Sequence, residues 1–177
     1  PPFREVFGVK DVERAIRDWG YPIVVKPVDG RGARGVIRIT PDIDPAWAYD
    51  HALEVSTLRR VIAEKFIPGM QISTESIVYR GHCYTAAWSE RNYEMLEVFR
   101  PYIIEAGGVF PARIDKNLAD RMQAVVAHAA RAMGAVDGPV KGDIVIGDSG
   151  PMVIELAARL SGGYFCTDQI PVCRGVD

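Results

Sequence analysis

Two stretches of this sequence carry residue types suited to handling a polyphosphate. The first is "VVKPVDGRGARGV", residues 24–36, where Lys26 precedes Gly30, Gly32 and Gly35 in the spacing G-x-G-x-x-G. Glycine backbones let N–H donors come close to phosphate oxygens, and a lysine at a strand end adds positive charge. The spacing is shared by unrelated loops, so its neighbours decide. A dinucleotide fingerprint needs the third glycine to open a helix, whereas Gly35 runs into "VIRIT", whose alternation is that of a strand. A P-loop needs Gly-Lys-Ser/Thr, which does not follow. What remains is a flap between two strands. The protein-kinase glycine loop is such a flap, but its lysine comes after the loop, and neither H-R-D nor D-F-G occurs here.

The second stretch is "VKGDIVIGDSGPMVIELAARL", residues 140–160, which reads as a hairpin. A three-residue connection, Asp148-Ser149-Gly150 with Gly left-handed, sets Gly147 opposite Pro151. Val145 then faces Val153, Asp143 faces Glu155 and Lys141 faces Ala157. With a period of two, Lys141 and Asp143 share a face with Glu155, Ala157 and Arg159. Two carboxylates from adjacent strands repel unless a cation lies between them, and oxygen ligands of this kind suit Mg²⁺ bound to a polyphosphate. The alternative is a pair of exposed acids on a wet sheet face.

The elements that must hold these residues follow from periodicity. Val9, Val12, Ile16 and Trp19 predict a helix stopped by Gly20. "YPIVVKPV" is a strand ending at the flap. Asp44-Pro45 predicts an N-cap and first turn, with Trp47, Ala52, Val55 and Leu58 on one face. "VIAEKFI" is a buried strand, and "GMQISTESIVYRGHCYTAAWSE" is two strands turned at Arg80-Gly81. Residues 93–115 are broken by Pro101, Gly107, Gly108 and Pro111 and read as loop. Leu118, Met122, Val125, Ala129 and Met133 predict a helix stopped by Gly134. The order α-β-β-α-β-β-β-α-β-β is an α+β fold rich in antiparallel pairs.

Composition agrees with a globular domain: 177 residues, 48% hydrophobic, 25% charged, net charge -2. That balance offers no bulk attraction to nucleic acid or to a membrane surface. Three cysteines, Cys83, Cys166 and Cys173, lack zinc spacing and point to a reducing, cytoplasmic setting. No apolar run reaches the roughly 20 residues of a membrane span. The "PP" opening and the "PVCRGVD" close read like a piece cut from a longer polypeptide.

Four motifs in order, "PIVVKPVDGRGARGV", "AEKFIPGMQISTES", "VKGDIVI" and "VIELAARLSGG", resemble the ATP-grasp carboxylate ligases, in particular biotin carboxylase and the carbamoyl-phosphate synthase large chain. The resemblance covers nearly the whole chain. It implies an ATP-grasp fold with antiparallel sheets, flanking helices and a nucleotide cleft between two subdomains: residues 1–68 as a lid with the flap, residues 69–177 as a larger part with the metal-binding hairpin. ATP and Mg²⁺, with Mn²⁺ as a substitute, are the implied cofactors. Lys26 would meet α- and β-phosphates, and Gly32, Ala33 and Gly35 would cover them. Glu64 and Lys65 carbonyls would accept from the adenine amino group, the Ile67 N–H, just past Phe66, would donate to the adenine ring, and Lys65 would also reach toward the nucleotide. Gln71 stands where the family has an acid for the ribose. Asp143 and Glu155 would hold the metal, Lys141 would neutralise the γ-phosphate, and Arg159 would sit beside the reacting carboxylate. Ala157 departs from the family's third metal ligand, an asparagine.

By the same resemblance, the reaction is ATP-dependent activation of a carboxylate or bicarbonate as an acyl phosphate, attacked by an amine or other nucleophile. The rival is an ATP-binding module weakened in catalysis, with a sensing or structural role; transfer to a hydroxyl is a third reading. Implied partners are small carboxylates and amines, an N-terminal domain of the same longer chain and a second copy in a homodimer. The isolated stretch is expected to bind ATP weakly. Arg91 reads either as a carboxylate binder or as a surface residue, Arg31 as solvated, and Arg174 and Asp177 as facing substrate.

Overall fold

The computed structural model describes residues 1–175, and the chain divides into two compact units. Unit 1 is Pro1–Ile67 with Tyr93–Ala106; unit 2 is Pro68–Asn92 with the chain from Gly107 onward. Where the sequence assigns everything after residue 68 to one part, residues 93–106 instead return to unit 1. Tyr102 bridges Ile37, and the Arg38 N–H donates to the Pro101 carbonyl at 2.9 Å. No period in the sequence announces this, because the segment pairs through isolated backbone groups rather than through a strand.

Unit 1 contains β1 (Phe3–Val6), α1 (Val9–Trp19), β2 (Ile23–Pro27), β3 (Ile37–Ile39), α2 (Pro45–Val55) and β4 (Val61–Lys65). Its antiparallel sheet runs β1-β4-β2-β3. Ile23, Val25, Ile37, Ile39, Val61 and Ala63 alternate onto one face and pack with Val12 and Ala15 of α1 and with Ala48 and Ala52 of α2. Asp44 caps α2 by accepting from Ala46 N at 2.9 Å. The buried stripe of α2 differs from the expected one. Trp47 and Leu58 are exposed, and small alanines face the sheet so that the helix can lie close to it.

Unit 2 contains β5 (Met70–Tyr79), β6 (His82–Arg91), β7 (Gly108–Val109), α3 (Lys116–Ala132), β8 (Gly138–Gly147), β9 (Gly150–Ala157), a five-residue π-helix (Phe165–Gln169) and α4 (Ile170–Arg174). The sheet order is β7-β6-β5-β8-β9, all antiparallel. Arg80 and Gly81 both have positive φ, 50° and 77°, as a two-residue hairpin turn requires. Asp115 caps α3 through Leu118 N at 2.7 Å. Met122, Val126 and Ala130 of α3 are its buried face, one position on from the expected Val125 and Ala129. They cover Ile72, Ile144, Val78 and Val140 of the sheet.

The β8–β9 hairpin corrects the expected register and then restores it. Its turn has two residues, so Gly147 faces Gly150 rather than Pro151, and Val145 faces Met152 rather than Val153. The pairing then slips at Asp143/Ile144, where Ile154 is an extra residue on β9. Beyond the bulge Asp143 faces Glu155 and Lys141 faces Ala157, as the sequence indicates. Among the described residues all three cysteines are free, and no helix is long and apolar enough to cross a membrane.

Candidate functional site

In unit 1 the face of the sheet away from the helices carries the polar residues. Lys26 and Glu64 alternate out of the core on β2 and β4, are both largely buried, and pair at 2.9 Å. Arg38 of β3 lies on the same face, only 5% exposed, with its guanidinium over the Phe66 ring and its Nη2 bonded to Glu97 at 2.6 Å. Arg38 escapes sequence reading because one charge in "VIRIT" resembles an ordinary wet-face residue. Lys65 points the other way: it pairs with Ile23 across the ladder, on the helix side, so only its backbone belongs with Glu64. β4 is a central strand, flanked by β1 and β2, and its ladder ends at Lys65.

The flap between β2 and β3 follows from its φ angles. Gly32, Ala33 and Gly35 all adopt positive φ, at 60°, 57° and 74°, a conformation in which backbone N–H groups can line a concave anion site. Gly35 is also crowded, since a Cβ there would stand 3.0 Å from Val55 Cβ. Arg31 and Arg34 are exposed. The root of the flap is tied by Asp29. Its carboxylate accepts from Ser56 Oγ at 2.6 Å, from Thr57 Oγ1 and from Leu58 N at 3.0 Å. These bonds, Ser56 first, hold its pKa down at about 2. Sequence reading missed Asp29, which looks like a turn residue in "DG".

In unit 2 the face away from α3 is a polar grid set by register. One row is Arg91, Gln71 and Val145; the next is Ser89, Ser73, Asp143 and Glu155; the third is Ala87, Glu75, Lys141 and Ala157. Asp143 is its hub. It accepts from Ser73 Oγ at 2.5 Å, from Arg91 Nη1 at 3.0 Å and from Lys141 Nζ. Lys141 also lies 3.9 Å from Glu155. Lys141 and Asp143 are nearly buried, whereas Glu155 is half exposed. Arg91, left open between two roles by the sequence, belongs to this cluster, and Ser73 was missed because serine in a strand carries no signal.

The remaining candidates are less concentrated. Arg159 follows β9 and is exposed, with Nη1 donating to the Leu160 carbonyl at 3.1 Å. Arg174 ends α4 and is exposed; Asp177 lies outside the described residues. Among the described residues no group of three or more His, Cys, Asp or Glu gathers for a metal. The carboxylate pair nevertheless suits a cation, since the Lys141 ammonium already occupies the space between the two acids as a positive stand-in. Two carboxylates are what Mg²⁺ takes from a protein when phosphates and water complete its shell.

Comparison with known proteins gives the family. A family profile described as an ATP-grasp domain matches residues 10–163. A D-alanine--D-alanine ligase of Azobacteroides pseudotrichonymphae is 30% identical over 139 residues, 76% of this chain and 41% of that protein. The arginine-specific large chain of mitochondrial carbamoyl phosphate synthase from Neurospora crassa is 27% identical over 157 residues, 82% of this chain and 12% of that protein. Among solved structures, biotin carboxylase from Campylobacter jejuni superposes with a TM-score of 0.77 at 20% identity, covering 99% of this chain and 40% of that one. The chain thus spans less than half the length of these relatives.

Proposed function

This chain belongs to the ATP-grasp family, and we propose that it is the nucleotide-handling part of an ATP-dependent ligase that joins a carboxylate, or bicarbonate, to an amine or other nucleophile. The observation that carries this reading is the meeting of Asp143 and Glu155 on one face around a single cationic group. ATP phosphorylates the carboxylate to an acyl phosphate, and the nucleophile then displaces phosphate. The D-alanine ligase and carbamoyl phosphate synthase relatives support ligation as the class of reaction.

The residues divide the work. Lys26 and the left-handed backbone of Gly32, Ala33 and Gly35 hold the phosphates, with Asp29 fixing the flap's root. The backbone from Glu64 to Ile67 takes the adenine, and Gln71 the ribose. Asp143 and Glu155 would hold Mg²⁺, which neutralises β- and γ-phosphate charge when bound. Lys141 leaves the acid pair for the phosphoryl group, and Arg159 orients the acceptor carboxylate.

Ala157 favours a second reading, a binding module with reduced turnover, since the side chain opposite Lys141 offers no ligand. Incubating the full-length protein with Mg-ATP and a panel of carboxylates and amines, with ADP and products measured by mass spectrometry, separates the two. A ligated product with ADP supports the ligase. ATP binding with no turnover on any pair, in a protein whose Asp143→Ala variant no longer binds Mg-ATP, supports the module.

A further inference from the structure

Glu75 is a buried carboxylate, 3% exposed, that the reading above leaves without a role. It stands in the third row of the grid, directly opposite Lys141 on β8 and Ala87 on β6. Both of its oxygens accept from the backbone N–H of Ser161, at 3.2 and 3.1 Å. The Cys166 thiol also donates to it; burial first, then the Glu75 charge and this bond, push that thiol's pKa up. Beside it, Phe165 and Ile170 pack on Ala87. The segment after β9 is thus pinned to the sheet at a polar point by Glu75 and at an apolar point by Ala87.

A buried carboxylate is costly to desolvate unless its bonds compensate. Both oxygens of the carboxylate take the backbone N–H of Ser161, two residues after Arg159, whose guanidinium is exposed and donates to its own loop at Leu160. We propose that Glu75 is the positioning residue for Arg159: it ties the Arg159–Ser161 turn to the central strand of the sheet, so that the guanidinium is presented from a fixed base. The inference rests on the assignment of Arg159 to the reacting carboxylate.

Amide exchange at Ser161 and the NMR order of the Arg159 Nε–H, measured in the full-length protein, test it. Glu75→Val, which removes the acceptor, is expected to speed Ser161 exchange more than tenfold and to lower Arg159 order while α3 amides stay protected. Ser161→Ala keeps the N–H and is expected to change neither. If Glu75→Val does not fold, Glu75→Gln serves: the neutral acceptor is weaker than a charged one, and exchange should rise by a smaller factor, with a correspondingly smaller but measurable fall in Arg159 order. Unchanged Ser161 exchange in Glu75→Val, or in Glu75→Gln where that is the variant used, overturns the anchor. Faster exchange with unaltered Arg159 order overturns the positioning role. Loss of turnover in Arg159→Ala tests the underlying assignment separately, because the exchange readout does not depend on substrate.

Discussion

Asp143 and Glu155 stand directly opposite each other although the turn joining their strands is one residue shorter than its sequence suggests; the extra residue at Ile154 makes up the count. A bulge of this kind re-aims side chains at functional edges. Without it, Glu155 would fall on the face covered by α3, and one carboxylate would be left without the other.

The two acids should separate in their effects. Asp143→Ala removes the shared acceptor of Ser73, Arg91 and Lys141, all at least partly buried, and is expected to cost about 3–5 kcal/mol, the range for breaking a buried pair. Glu155→Gln, at a half-exposed site, should cost under about 1 kcal/mol. Both should lose Mn²⁺ binding in the presence of a non-hydrolysable ATP analogue. Chemical denaturation and an EPR titration measure the two effects.

Asp29 gives the flap a pH dependence. Its folded pKa is depressed from 3.8 to about 2 by bonds from Ser56 and Thr57. The charged form is therefore favoured by folding, and its contribution is complete above pH 4 and fades as pH falls toward 2. Exchange at the Leu58 amide should accelerate through that window. In Asp29→Ala it should be fast throughout, with a weaker apparent affinity for ATP at neutral pH.

Gly69 cannot accept a side chain. A Cβ there would lie 2.0 Å from the Ile146 carbonyl oxygen, at φ 149°. Gly69→Ala should force the start of β5 from β8 and destabilise by about 1–3 kcal/mol, read as a lower denaturation midpoint.

Two methionines on one predicted stripe should behave differently. Met122 is fully buried and Met133 is 45% exposed. Met122→Ala should cost about 2–5 kcal/mol, and Met133→Ala less than about 0.5 kcal/mol, in the same denaturation measurement.

Much of this was legible because it is local. The flap lies between strands because "IVVKP" and "VIRIT" alternate around glycines, and α2 starts at Asp44 because its side chain and Pro45 suit a first turn. Both consequences depend on residues a few positions apart. β1 was not legible: "FREV" is short and acquires its identity only by pairing with β4, some sixty residues on. The same holds for residues 93–106, whose place is set by isolated bonds to β3.

Residue type and a period of two are enough to give the chemical groups, their order and the alternation that puts Lys141 on the face of Asp143. Which groups touch depends on the folded chain: Lys65 turns from Lys26, Arg91 and Ser73 close on Asp143, and Glu75 holds the Ser161 N–H just after Arg159. Each of those contacts joins strands or loops brought together by core burial and register, and neither of these is written in the spacing of the residues that meet.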